Sequence, residues 1–329
     1  MAADPRAGSQ RVVVVGSYVQ DHAWVVDQFP APGETRRALG FSSGPGGKGF
    51  NQAVACRRQG VATAFLGALG DDALGATARR FAQDEGLDAR WQAVAPTPTA
   101  ASSILVNAQG ENQIAVDLAA NEKLDAAFLR GQADVFAGAS VVLCQLENDL
   151  PAIDAALALG REAGARCVLN PAPVHPRLAR ATIDAAGILT PNETEFDLLC
   201  ARFAGPAPGA QQVATLDDAS LHALCRRLSS GTVVITLGRH GGFVSHGADR
   251  RGDADAHYRY APEAVQAIDT TGAGDAFSGG LAAALCLFAE APFARAVHYA
   301  NRVAALSTET IGTAPAMPAR ARVEARFGP

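Results

Sequence analysis

The chain is poor in charge: only 19% of its 329 residues are Asp, Glu, Lys or Arg, and the net charge is −5. No long run of lysine and arginine occurs, which argues against a nucleic-acid partner. The six cysteines (Cys56, Cys144, Cys167, Cys200, Cys225 and Cys286) form no Cys-x-x-Cys pair and lie in apolar surroundings. A disulfide framework is not expected; buried free thiols in a reducing compartment are. The seven histidines are scattered without ligand spacing, which speaks against a zinc site. Long hydrophobic runs are also missing. The longest nearly apolar stretch, 276–289, contains a serine and two glycines and is too short to span a bilayer. The first ten residues are polar, without the apolar region of a signal peptide, and read as a disordered tail. A cytoplasmic protein without membrane association is expected, and no internal repeat or obvious linker divides it.

What is present is apolar residue, 48% of the chain, with alanine dominant. That suits a sizeable core of helices packed closely on a sheet. Residues 11–15 are a β-branched run ending in Gly16, the profile of a strand buried on both faces. Further strands are expected at 61–66, 141–146, 167–169, 187–189 and 233–236. Helices are expected at 48–59, 74–83, 151–163, 192–201 and 216–228. Such alternation predicts an α/β fold with a doubly wound, mostly parallel central sheet flanked by helices. Residues 23–41, 99–106 and 113–118 alternate polar and apolar residues and predict a small separate sheet.

Two glycine-rich stretches carry the chemistry. In Asp269-Thr270-Thr271-Gly272-Ala273-Gly274-Asp275 an expected strand at 264–268 meets two glycines and a long alanine/leucine helix. A helix N-terminus gathers unpaired N–H groups and binds anions, and glycines let backbone approach them. Asp275 beside such an anion fits a group that removes a proton, or else a simple helix cap. Earlier, Ser43-Gly44-Pro45-Gly46-Gly47-Lys48-Gly49-Phe50-Asn51-Gln52 opens a helix. Gly44, Gly46 and Gly49 formally match a dinucleotide fingerprint, but no clean strand is expected just before them. A phosphate-binding P-loop would need Ser or Thr where Gly49 stands. Polar groups also follow several strands: Asp21, Glu147, Asn170, and Asn192 with Glu195. The spacing of the last two suits a Mg²⁺-bound water or a capping box. Thr236 to Gly242 reads as a hairpin or a nucleotide contact.

Taken together, these stretches resemble the ribokinase family of sugar kinases, of the phosphofructokinase-B type, over about residues 11–320. Gly46-Gly47-Lys48-Gly49-Phe50-Asn51-Gln52-Ala53 is similar to the family's N-terminal signature, and Asp269 to Asp275 to its C-terminal one. The resemblance implies an α/β kinase core (11–22, 45–96 and 118–329) and a β lid (23–44 and 97–117) that also forms a homodimer contact. It implies ATP, Mg²⁺ and a monovalent cation such as K⁺ as cofactors, and a small sugar or nucleoside as substrate. Asp275 would be the base, with Gly272, Ala273 and Gly274 as the anion hole. Asp21, Gly47, Lys48, Asn51 and Glu147 would bind the sugar. Asn192 and Glu195 would organise Mg²⁺ and phosphate, and Thr236, Gly238 and Asn301 would meet the nucleotide. Asp269, Thr271 and Gly312 would belong to the cation site.

Two positions depart from the family pattern. Val19 stands where an asparagine touching the sugar is usual, and Phe50 where a small residue is usual. They suggest a less hydroxylated sugar, or a nucleoside whose base needs an apolar wall; Phe50 equally suits helix packing. The expected activity is phosphorylation of a primary hydroxyl, D-ribose at its 5-position first. A nucleoside kinase is the alternative, and a non-catalytic sugar-binding member a third reading.

Overall fold

The structure, a computed structural model, describes residues 10–328. The expected tail falls outside the described residues except for Gln10. The strands are β1 (Arg11–Val15), β2 (Val19–Val25), β3 (Gly40–Gly46), β4 (Ala62–Leu69), β5 (Asp88–Ala93), β6 (Ala101–Val106) and β7 (Asn112–Asp117), then β8 (Val141–Cys144), β9 (Arg166–Leu169), β10 (Ile188–Leu189), β11 (Thr232–Thr236), β12 (Gly242–Ser245) and β13 (His257–Tyr260). The α-helices are α1 (Lys48–Arg58), α2 (Ala73–Asp84), α3 (Ala126–Gly131), α4 (Ala133–Phe136), α5 (Leu150–Glu162), α6 (Arg180–Ala185), α7 (Glu193–Leu199), α8 (Asp218–Leu228), α9 (Ala273–Leu287), α10 (Phe293–Ser307) and α11 (Arg320–Phe327).

Among the described residues nine strands form one sheet in the order β13-β12-β11-β10-β9-β8-β1-β4-β5. It is parallel from β11 to β5, and β12 and β13 add an antiparallel edge. Val12 and Val14 pack into the layer holding α1, α9 and α10, while Val13 and Val15 pack into that of α5 and α8. An unbroken apolar run is what a strand covered on both faces requires. From β1 the chain first winds one way through β4 and β5, then returns to β8 and winds the other way. The ends of β1 and β8 therefore flank the point where strand order reverses, where such sheets hold their ligands. A second sheet, β3-β2-β6-β7, stands apart, with β2 antiparallel to β3 and parallel to β6.

Two sequence expectations are corrected. Residues 264–268 form no strand: they run as an extended loop with Ile268 68% exposed, and the N–H groups of Ile268 and Asp269 donate to the Thr308 carbonyl instead of a sheet neighbour. An apolar, alternating stretch looks the same whether or not a strand edge is available to pair with it. Conversely, the glycine cluster is itself partly strand, since β3 takes in Gly44 and Gly46 and ends there. It belongs to the small antiparallel sheet, so no dinucleotide-binding βαβ unit results. Helix α9 takes in the apolar stretch 276–287 and starts at Ala273, because Gly272 takes the left-handed conformation (φ 77°) and caps it. All six cysteines are buried and free, as expected.

The loop between β12 and β13 is anchored by buried polar groups. Arg251 Nε donates to Thr232 Oγ1, His246 Nδ1 lies 3.1 Å from that hydroxyl, and His246 Nε2 lies 3.0 Å from Asp253 Oδ2. Tyr258 also donates to Asp253. Burial holds the His246 pKa below its ordinary value; Asp253 opposes this, and Arg251 and Arg226 reinforce it. Below about pH 6.5 the unfolded chain takes a proton that the folded imidazole resists, so this group's contribution to stability falls, by at most about 1.4 kcal/mol per pH unit. Denaturant titrations at pH 7.5 and 5.5 are expected to show a smaller acid-induced loss in His246→Gln than in the wild type.

Candidate active site

The turn from β3 into α1 is possible only because Gly47 has φ 89°; a Cβ there would lie 2.7 Å from the Val19 nitrogen. It aims the first turn of α1 at the ends of β1 and β8. Helix α9 then crosses α1 at Gly279, where a Cβ would lie 2.5 Å from the Gln52 carbonyl oxygen. This close approach brings two motifs from opposite ends of the sequence into contact. Asn51 Nδ2 donates to Asp275 Oδ2 at 2.9 Å, and Gln52 Nε2 donates to Asp275 Oδ1 at 2.9 Å.

Asp275 is buried, 6% exposed, on the first turn of α9. Gly272 is the cap, so the capping reading of Asp275 fails and its carboxylate is left facing the amides of α1. Beside it a side chain at Gly274 would meet nothing within 4 Å, so the first-turn amides are open to a ligand. Asp269 braces this turn: its Oδ1 accepts from Thr271 N at 2.9 Å and its Oδ2 from Gly312 N at 3.0 Å. Asp269, Thr271 and Gly312 thus come together.

At the reversal point of the sheet, Ser17 Oγ donates to Glu147 Oε2 at 2.5 Å, and the Lys48 backbone N–H donates to the same oxygen at 3.0 Å. Burial pushes the Glu147 carboxyl above its usual range, against the pull of Lys48 and these hydrogen bonds. For Lys48 burial acts to lower the pKa, but Asp275, Glu147 and Glu195 outweigh it and hold the ammonium above its ordinary value. One cation therefore serves three carboxylates. Asp21 accepts from Ser102 Oγ at 2.6 Å and from Thr313 Oγ1 at 3.2 Å; burial nevertheless raises its pKa.

Asn192 and Glu195 form a full capping box on α7: Asn192 Oδ1 accepts from Glu195 N at 2.8 Å, and Glu195 Oε2 accepts from Asn192 N at 2.9 Å. Burial raises the Glu195 pKa, and Lys48 opposes this. Thr236 pairs with Asn192 through a parallel bridge, and Gly238 opens the turn after β11. Asn301 lies on α10 and donates to the Ala261 carbonyl at 3.0 Å rather than joining this group.

A cavity of about 540 Å³ opens between the small sheet and the braced turn. Asp21, Ser42, Ile104 and Ile114 line one side, and Asp269, Thr271, Gly312 and Thr313 the other. A second cavity of about 390 Å³, lined by Arg166, Arg251 and Phe288, contains none of the motif residues. Phe50, one of the two departures, does not face the cleft: it is fully buried against Tyr18, Phe65, Phe81 and Trp91. Packing is its role. Val19, also buried, lies on the same face of β2 as Asp21. Sequence reasoning missed Ser17, Ser102 and Thr313 as part of this polar group, and Gln145, whose Nε2 donates to Gln52 Oε1 at 2.6 Å. Ser102 and Thr313 stand 81 and 292 residues from Asp21, outside any motif. Ser17 was signalled only by its place after a strand.

The comparisons with known proteins agree. The ribokinase of Haemophilus influenzae is 33% identical over 311 residues, covering 94% of this chain and 95% of its own. The structure of ribokinase from Giardia lamblia superposes with a TM-score of 0.85 at 27% identity, covering 97% of this chain and 99% of that one. That of Arabidopsis thaliana ribokinase complexed with ribose and ATP gives 0.81 at 26% identity, covering 96% and 97%. Residues 9–320 match the pfkB family carbohydrate kinases. The buried carboxylate at a glycine-lined helix N-terminus therefore lies in a phosphotransferase acting on a sugar hydroxyl, and the chain belongs to the pfkB carbohydrate kinase family.

Proposed function

We propose that this enzyme transfers the γ-phosphate of ATP to the 5-hydroxyl of D-ribose. The observation that carries this reading is Asp275, buried beside the open first turn of α9 and held by two side-chain amides. In this reading Asp275 takes the hydroxyl proton as the oxygen attacks the γ-phosphorus and ADP leaves. The Gly272, Ala273 and Gly274 amides stabilise the charge on the transferring group, since phosphoryl transfer needs mainly positioning and charge stabilisation. Asp21, Gly47, Lys48, Asn51 and Glu147 hold the sugar. Asn51 suits this role because its buried Oδ1 has no partner among the described residues and can accept from a hydroxyl. Asn192, Thr236, Gly238 and, more distantly, Asn301 serve the nucleotide.

Among the described residues no three His, Cys, Asp or Glu side chains converge on one metal position. This fits Mg²⁺ held largely by water and phosphate oxygens, with Glu195 reaching it through water. Mg²⁺ would neutralise phosphate charge. Asp269, Thr271 and Gly312 supply hard oxygen donors for K⁺ next to the anion hole. Faster ADP release in K⁺-containing than in K⁺-free buffer is expected; equal rates would remove K⁺ from this account.

We read 23–44 and 97–117 as a lid over an otherwise continuous kinase core, closing the cleft to water. Leu39, Phe41, Ile114 and Val116 of this region are each at least 50% exposed, which favours a homodimer through the lid. Six buried free thiols suit a reducing, cytoplasmic setting.

The deciding experiment is coupled ADP release with Mg-ATP on D-ribose, 2-deoxyribose, fructose, adenosine, inosine, cytidine and pseudouridine. Ribose is expected to give the highest kcat/KM. With Phe50 buried in the core, that residue no longer argues for a nucleoside; a nucleoside preference would overturn the ribose reading. Val19 favours one second reading, a less hydroxylated sugar, because it sets an apolar side chain on the Asp21 face of β2. A 2-deoxyribose preference would select it.

A further inference from the structure

Behind Asp275 lies a chain of buried carboxamides that the reaction scheme above does not use. Gln52, Gln145 and Asn170 are 0%, 0% and 6% exposed. Asn170 Nδ2 donates to the Thr190 carbonyl at 2.8 Å, and Asn170 Oδ1 accepts from Gln52 Nε2 at 3.1 Å. Gln52 Nε2 donates also to Asp275 Oδ1, and Gln52 Oε1 accepts from Gln145 Nε2 at 2.6 Å.

The direction of this chain is forced. A backbone carbonyl and an ionised carboxylate can only accept, whereas a carboxamide has one accepting and one donating end. Thr190 therefore compels Asn170 to present its NH₂ to the carbonyl and its oxygen to Gln52. Asp275 and Asn170 together compel Gln52 to present NH₂ to both of them. The Gln52 oxygen then faces away, where only a donor is acceptable, and Gln145 supplies it. Turning any one amide over would set oxygen against oxygen in a buried site, where an unmet polar atom is costly. Asn51 differs: Asp275 alone requires its NH₂ end, and its Oδ1 has no partner among the described residues to hold it from behind. Of the two amides on Asp275, only that of Gln52 is locked from behind.

We propose that Gln52 is a positioning residue for Asp275, with Asn170 and Gln145 fixing which end of its amide meets the carboxylate. The inference rests on Asp275 being the base. One carboxylate oxygen is pinned by an amide that is itself held from behind, while the other stays with Asn51, held only through Asp275, and meets the substrate hydroxyl. A reacting group misplaced by about 1 Å can cost on the order of 10²-fold in rate.

The test measures kcat, both KM values and thermal stability for wild type, Gln52→Met and Gln145→Met. Gln52→Met keeps the length and removes the donor; a fall in kcat on the order of 10²-fold is expected, with KM for sugar and Mg-ATP unchanged. Gln145→Met leaves every side chain touching Asp275 in place and only takes the donor from the Gln52 oxygen, so Gln52 is held less firmly and the same changes should appear at smaller size. It decides the matter if Gln52→Met does not fold. Loss of thermal stability with kcat and both KM values unmoved would mean a structural role only and overturn the proposal. A wild type that releases no ADP with any sugar would instead remove the base itself, and the inference with it.

Discussion

Asp275→Asn is expected to lower kcat by about 10³- to 10⁴-fold, the upper part of the range for a general base, while sugar still binds. The amide keeps the carboxylate's shape but cannot take the hydroxyl proton. The surroundings can accommodate it: the oxygen of the new carboxamide stays on Gln52, and its NH₂ turns toward Asn51. Asn51 can rotate its otherwise unpartnered Oδ1 into place without losing another hydrogen bond. Single-turnover kinetics and calorimetric titration with sugar check the two halves. A variant with near wild-type kcat would show that another group removes the proton. Lost sugar binding would show that the Asp275 charge serves recognition first.

Phe50→Ala is expected to destabilise the protein by about 3–5 kcal/mol, as removal of a fully buried aromatic side chain commonly does. The ring sits edge-on to Tyr18 and Phe65, with centroids 5.1 and 5.4 Å away, and within 6.1 Å of Trp91. The cavity left behind would be bounded by the main sheet and α1, neither of which can collapse freely. Because the ring points away from the cleft, KM for the sugar should change little. Denaturant unfolding alongside steady-state kinetics separates the outcomes. An unchanged stability with a raised sugar KM would return Phe50 to the substrate pocket.

Much was legible in the chain itself wherever a local pattern has only one good physical use. The four valines of β1 announced a strand covered on both faces, and the βα alternation after 141 announced the parallel sheet. Gly47 and Gly272 mark the turns into α1 and α9 because positive φ favours glycine. Residues 264–268 were misread for the complementary reason: apolar alternation reports a propensity for extended backbone, while a strand also needs a neighbour to accept its hydrogen bonds. The box formed by Asn192 and Glu195 was readable from a three-residue spacing, whereas the reach of Glu195 to Lys48 was not.

The sequence by itself determined the fold class, the two glycine-turn helix starts and the acids and amides beside them, since these depend on contacts within a few residues. The tertiary structure alone decided that Phe50 belongs to the core, that Ser102 and Thr313 share Asp21, and that Gln52 faces Asp275 with its amide direction fixed. Those outcomes depend on how closely α1 and α9 approach at Gly279 and on which acceptors lie behind Gln52. Such distances are set by the packing of segments far apart in the chain, and no spacing along it encodes them.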